Sequence, residues 1–142
     1  MYHKILLPTD GSRPANEAAK HAIWAASSCD ADLVVLNVVE SKFPERISED
    51  LRSDLKNMLM DEGKQALEDV SDLLNESPSD INSTFLVEEG SPATTILKTI
   101  EDGDIDLVVM GTSGKHGLDK LLLGSVAEKV VRNAKCAVTV VH

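Results

Sequence analysis

Cysteine is scarce in this chain, with Cys29 and Cys136 the only two in 142 residues. They lie far apart, in no Cys-x-x-Cys pair and no Cys/His metal spacing, which predicts two reduced thiols. Basic charge is short as well: 14 Lys and Arg face 24 Asp and Glu, for a net charge of −10. The chain therefore lacks the clustered basic stripe that nucleic acid or anionic lipid needs. No apolar run approaches the roughly 18 residues of a membrane span, and Met1-Tyr2-His3-Lys4 leads straight into a strand, with no room for a signal peptide. These absences predict a cytoplasmic protein with neither membrane nor nucleic acid as partner. Also missing are the Gly-x-x-x-x-Gly-Lys-[Ser/Thr] phosphate loop and the Gly-x-Gly-x-x-Gly dinucleotide fingerprint.

What is present is a regular alternation. The length fits one domain, residues 1–142, able to bury a core without staples. Lys4-Ile-Leu-Leu-Pro8 reads as a buried strand, and Thr9-Asp10-Gly11-Ser12 turns the chain. Ala15, Ala18, Ala19, Ala22, Ile23 and Ala26 then recur at helical spacing. Ser12 or Asp10 can cap this helix, with Pro14 acceptable in its first turn. Asp10 can bind a ligand instead, and the residues alone favour capping for it. Trp24 falls near the apolar stripe and is expected to be partly buried, with His21 facing solvent. Residues 33–39 form a second buried strand, and 40–47 a loop able to cover a site. A long helix opens at Ser48 and ends by Pro78, softened at Gly63, with Met58, Leu59 and Met60 expected in its packing. Residues 81–87 alternate in character and read as a strand near a sheet edge. Ser91 and Pro92 start a helix over 93–101, and 105–110 is a fourth strand. A helix over 126–134 and a strand over 137–141 follow, with Cys136 a small core hydrophobe. Alternation of this kind predicts an α/β fold, a five-stranded parallel sheet with about four helices on its two faces.

The stretch from Gly111 to Ser125 carries the most specific chemistry. An apolar strand feeds into Gly111 and a helix starts near Ser125, so Gly111, Gly114 and Gly124 lie between strand and helix. Backbone N–H groups there can face an anion closely, and a helix start adds unpaired donors and a positive dipole end. Thr112, Ser113 and Ser125 add hydroxyls, while Lys115 and Lys120 stand against Asp119 alone. The alternative is a flexible connection whose glycines only permit turns.

With those residues assembled, the chain resembles the universal stress protein family from Lys4 to Val141. The resemblance rests on Ile5-Leu-Leu-Pro-Thr-Asp10, Val34-Val-Leu-Asn-Val-Val39, Gly90-Ser-Pro92, Asp106-Leu-Val-Val-Met-Gly111 and Cys136-Ala-Val-Thr-Val-Val141. Gly111-x-x-Gly114, nine residues, then Gly124-Ser125 resembles the motif of the family's ATP-binding branch. The resemblance implies a doubly wound, Rossmann-like sheet of the adenine nucleotide alpha hydrolase type, order 3-2-1-4-5, and a homodimer formed through the last strand. It implies that Pro8, Thr9, Asp10 and the backbone of Val38 hold adenosine, reversing the reading of Asp10 as a cap. Gly111, Gly114, Gly124, Ser125 and Val126 would hold the phosphates, with Met110 beside the sugar or base and Mg²⁺ or Mn²⁺ carried on the phosphates. The function so implied is an ATP-dependent switch or sensor in stress response, acting on a protein partner with at most slow hydrolysis. A weak ATPase or phosphotransferase using Ser113 or His116 is the alternative, followed by an interaction domain without nucleotide. A phospho-accepting receiver domain fits less well, because it wants an acidic pair where only Asp10 stands.

Overall fold

The computed structural model describes residues 1–113 and 123–142. Its elements alternate throughout: β1 Lys4–Pro8, α1 Arg13–Cys29, β2 Asp32–Val39, α2 Glu49–Glu76, β3 Ser83–Glu89, α3 Pro92–Asp102, β4 Leu107–Gly111, α4 Ser125–Asn133 and β5 Ala137–Val141. The strands form one parallel sheet of order β3-β2-β1-β4-β5, as the resemblance implied. β1 is central, and every residue after Lys4 in it is buried. From β1 the chain winds outward to β2 and β3, then crosses to β4 and β5 on the other side. That reversal leaves a crevice at the carboxyl ends of β1 and β4, where open α/β sheets take their ligands.

Side-chain alternation along the strands divides the core into two layers. Ile5, Leu7, Leu33 and Val35 pack with the alanine stripe of α1 and with Val70 of α2. Leu6, Leu36 and Val108 pack with Ile96 and Ile100 of α3 and Val130 of α4. Cys136 joins the second layer half-buried, and its thiol is pushed above the ordinary range by burial and then by the Asp106 carboxylate, as suits a packing residue. Both cysteines are free thiols. Asp106 also ties down the start of β1, accepting the N–H groups of His3 and Lys4 at 2.8 and 3.1 Å.

The structure corrects several expectations. Trp24 is 71% exposed, because it lies four residues after Lys20 and seven after Glu17, on the charged face of α1. Of the methionine cluster only Leu59 turns inward. It stands four and seven residues before Gly63 and Ala66, which with Val70 are the buried positions of α2, while Met58 and Met60 are exposed. β3 begins and ends two residues later than expected, because Glu88 and Glu89 extend it by pairing with Val38 and Val39. Gly63 does not soften α2. It is buried against Asn37, whose Oδ1 a Cβ at that position would overlap.

Ser12 is the N-cap of α1, its buried hydroxyl accepting the Ala15 N–H at 3.3 Å. Ser12→Ala is expected to cost about 1 kcal/mol, seen as a lower urea midpoint at unchanged slope. Trp24→Ala, by contrast, should leave the midpoint within about 0.5 kcal/mol of the parent, despite removing the only tryptophan.

Candidate functional site

The crevice begins where β1 stops. Its ladder with β2 ends at Pro8 opposite Leu36, and the Thr9 N–H reaches the Leu36 carbonyl at 2.9 Å. Carbonyls alternate along a strand, and that of Val39 goes to Gly90 on the β3 side. The N–H and C=O of Val38 therefore face the β1 side, beyond the last residue of β1. The turn that follows closes on itself. Gly11 takes φ 78°, a left-handed conformation natural to glycine. Its N–H donates to Thr9 Oγ1 at 3.2 Å, and the Ser12 N–H donates to Asp10 Oδ1 at 2.9 Å. Asp10 thus supports the start of α1 without being its cap, and it stays exposed at the crevice.

β4 and α4 build the facing wall. The Thr112 N–H continues the β4–β5 ladder to the Val141 carbonyl at 2.9 Å, and the Gly124 N–H donates to the Thr112 carbonyl at 2.6 Å. The chain thus returns beside its own departure point. A Cβ on Gly124 would meet that carbonyl at 2.9 Å, and one on Gly111 would meet the backbone of Pro14 and Ala15 at 2.8 and 2.9 Å. Both glycines are therefore required by chain packing, a reason different from the close anion approach read from their spacing.

The two helix starts differ in a way that matters for charge. α1 is capped by Ser12, whereas Gly124, the N-cap of α4, offers no side-chain bond to the first turn. The cap thus gives the leading N–H groups of α4 no side-chain acceptor, and they can take one from the crevice, with the positive end of the helix dipole behind them. Ser91, the N-cap of α3, also makes no side-chain cap bond.

Between these walls lies a cavity of about 410 Å³. Pro8, Thr9 and Asp10 line it from β1, Val38 from β2, Met110 and Gly111 from β4, and Gly124, Ser125 and Val126 from α4. These are nine of the ten residues singled out in the sequence. The tenth, Gly114, lies outside the described residues, as do Lys115 and His116. Thr112 and Ser113 bring hydroxyls to the wall, and Leu59, Glu62 and Gly63 reach it from α2. Glu40, the first residue of the loop expected to cover a site, lines it, and so does Asn37, which was not anticipated. The trace of Asn37 was its place as the only polar residue in the run Leu33 to Val39.

An adenine nucleotide fits this donor set: an open strand edge for a base, a carboxylate for hydroxyl or amino donors, and a bare helix start for phosphates. Among the described residues no cluster of three or more His, Cys, Asp or Glu could hold a metal, and no helix is long and apolar enough to cross a membrane.

The model of the universal stress protein family matches residues 1–142. The chain belongs to the universal stress protein family. It is 44% identical over 142 residues to a universal stress protein of Methanocaldococcus jannaschii, covering 99% of this chain and 82% of that one. Universal stress protein UspA from Lactobacillus plantarum superposes with a TM-score of 0.89 at 27% identity, covering 99% and 98% of the two chains. A more distant universal stress protein, from Arabidopsis thaliana and solved with AMP bound, shares the fold with a TM-score of 0.67 at 18% identity, covering 98% and 90%.

In this universal stress protein, Gly111→Ala is expected to destabilise by about 1–3 kcal/mol, because backbone atoms of α1 must give way. Ser125→Ala, at an exposed first-turn position, should stay within about 0.5 kcal/mol. Paired urea titrations of the two variants check the contrast.

Proposed function

We propose that the cavity binds ATP, placing the chain in the ATP-binding branch of its family, and that the bound state is read by a protein partner as a switch or sensor in stress response. The observation that carries this reading is the meeting of the Val38 strand edge, the Asp10 carboxylate and the bare start of α4 around one cavity. In this arrangement the N–H and C=O of Val38 read the edge of adenine, with Pro8 and Thr9 forming the adjoining wall. Asp10 accepts from ribose hydroxyls or the amino group, and Met110 lies beside the sugar or base. The backbone of Gly111, Gly124, Ser125 and Val126, with Gly114, takes the phosphates, and the Ser125 hydroxyl donates to them. Mg²⁺ or Mn²⁺ enters on the nucleotide, held by phosphate oxygens and water, and supplies charge neutralisation there. Family members of the same fold solved with AMP, dAMP and cAMP support an adenine nucleotide as the ligand class.

Holding, more than turnover, suits this lining. Phosphoryl transfer is accelerated by a cationic group on the transferred phosphoryl and a residue orienting the nucleophile. Among the described residues lining the cavity there is no Lys, Arg or His. Ser113 lines it, so a slow ATPase in which Ser113 or His116 takes part is the second reading. β5 pairs only with β4 and leaves an edge open, which supports a homodimer through the last strand. The proposed setting is the cytoplasm.

Freshly purified protein, denatured and analysed by mass spectrometry, is expected to release adenine nucleotide. Calorimetry with ATP and Mg²⁺ should show binding that Asp10→Ala weakens about 10- to 100-fold, the worth of hydrogen bonds to a charged group. No released nucleotide and no binding at millimolar ATP would overturn the reading. Hydrolysis unchanged in Ser113→Ala and His116→Ala would remove both as participants.

A further inference from the structure

Among the described residues lining the cavity, Asn37 is the one with a buried polar side-chain atom left without a hydrogen-bond partner. It is 5% exposed, in the middle of an otherwise apolar strand. Its Nδ2 donates to the Thr9 carbonyl at 3.0 Å, which fixes the amide: turned over, it would set oxygen against oxygen. Oδ1 therefore points the other way, towards Gly63, where it is buried and has no hydrogen-bond partner among the described residues. A buried acceptor without a donor is costly, and water or a ligand is the usual remedy. Gly63 brings only carbon to it, and both residues line the cavity. The described residues supply no donor to it, and a donor group entering the cavity is placed to do so.

We infer that Asn37 is a specificity-determining residue that selects a 6-amino purine over a 6-oxo purine. This rests on the proposed adenine nucleotide site and names what sets its base preference. The amino group of adenine carries two hydrogens. The Val38 carbonyl accepts one and Asn37 Oδ1 the other. Guanine and hypoxanthine present a carbonyl oxygen at that position, so two acceptors would face a third. A site whose polar groups are left unpaired by the wrong ligand rejects it far more strongly than a site that merely fits it less well. Gly63 belongs to the same device, since any side chain there would displace the amide.

Calorimetric titration with ATP, N6-methyl-ATP and ITP, each with Mg²⁺, tests the assignment. The parent is expected to bind ITP at least tenfold more weakly than ATP, with N6-methyl-ATP between them. Asn37→Leu should narrow the ATP-to-ITP ratio by about tenfold, the worth of one hydrogen bond. Equal weakening of ATP and ITP in that variant would mark a merely structural role and overturn the inference. Should Asn37→Leu fail to fold, the parent decides. Equal affinity for ATP and ITP, or an Asn37 side-chain amide NMR signal unmoved by ATP, would overturn it. A parent that binds no ATP would instead overturn the nucleotide reading itself, and this one with it.

Discussion

β1 stops at Pro8, and its last step is held by two hydrogen bonds, from the Thr9 N–H to the Leu36 carbonyl and from Asn37 Nδ2 to the Thr9 carbonyl. Everything at the carboxyl end of the sheet follows from that stop. β1 lies between β2 and β4, and the chain leaves it through Gly11 to begin α1. One strand longer by a residue pair would cover the backbone of Val38, and one shorter would lose the support of the Thr9-to-Ser12 turn. The position of Asp10 is set by the same event, since its carboxylate holds the Ser12 N–H that precedes the helix. The N-terminal turn of α1 in turn fixes how close β4 can come, at Gly111.

Three close approaches define the walls around this point: Gly111 against Pro14 and Ala15, Gly124 against the Thr112 carbonyl, and Gly63 against Asn37. In each the missing Cβ lets one part of the chain lie against another. The cavity is thus shaped by packing within the chain before any ligand arrives, which reduces the ordering that binding must otherwise cost. Capping distinguishes the helices that meet there. The hydroxyl of Ser12 consumes a donor of α1, while the first turn of α4 keeps its own.

Much of the architecture was legible because it rests on local rules: apolar runs for the buried strands, Ser12 and Pro14 at the start of α1, Pro92 at the start of α3. The pairing order was not, and came from family resemblance, since no local pattern says which strands are neighbours. Errors arose where a tertiary partner decided the outcome. Glu88 and Glu89 look like turn residues until Val38 and Val39 pair with them. Gly63 looks like a weak point in a helix until Asn37 is beneath it. Trp24 and Met58 were judged by hydrophobicity, although their helical phase places them with charged neighbours. Of the site, the glycine-serine framework and Asp10 were visible as a motif. Asn37 and Glu62 were not, because they come to the cavity only through the packing of α2 on β2.

The charges along the cavity give it a direction. Asp10, Glu40 and Glu62 lie towards β1, β2 and α2, while Thr112, Ser113 and Ser125 lie with the bare helix start on the β4 and α4 side. A net charge of −10 would suggest that an anion is repelled from the whole molecule. Distance decides otherwise, because exposed charges are largely screened beyond about 8 Å at physiological salt. An anion at α4 meets roughly half a positive charge and several N–H groups within contact distance. The same anion at the opposite end meets carboxylates. In the nucleotide-bound state proposed above, phosphates would thereby be directed to the start of α4, and the end rich in acceptors would be left to groups that donate, the hydroxyls of a sugar and the amino group of a base.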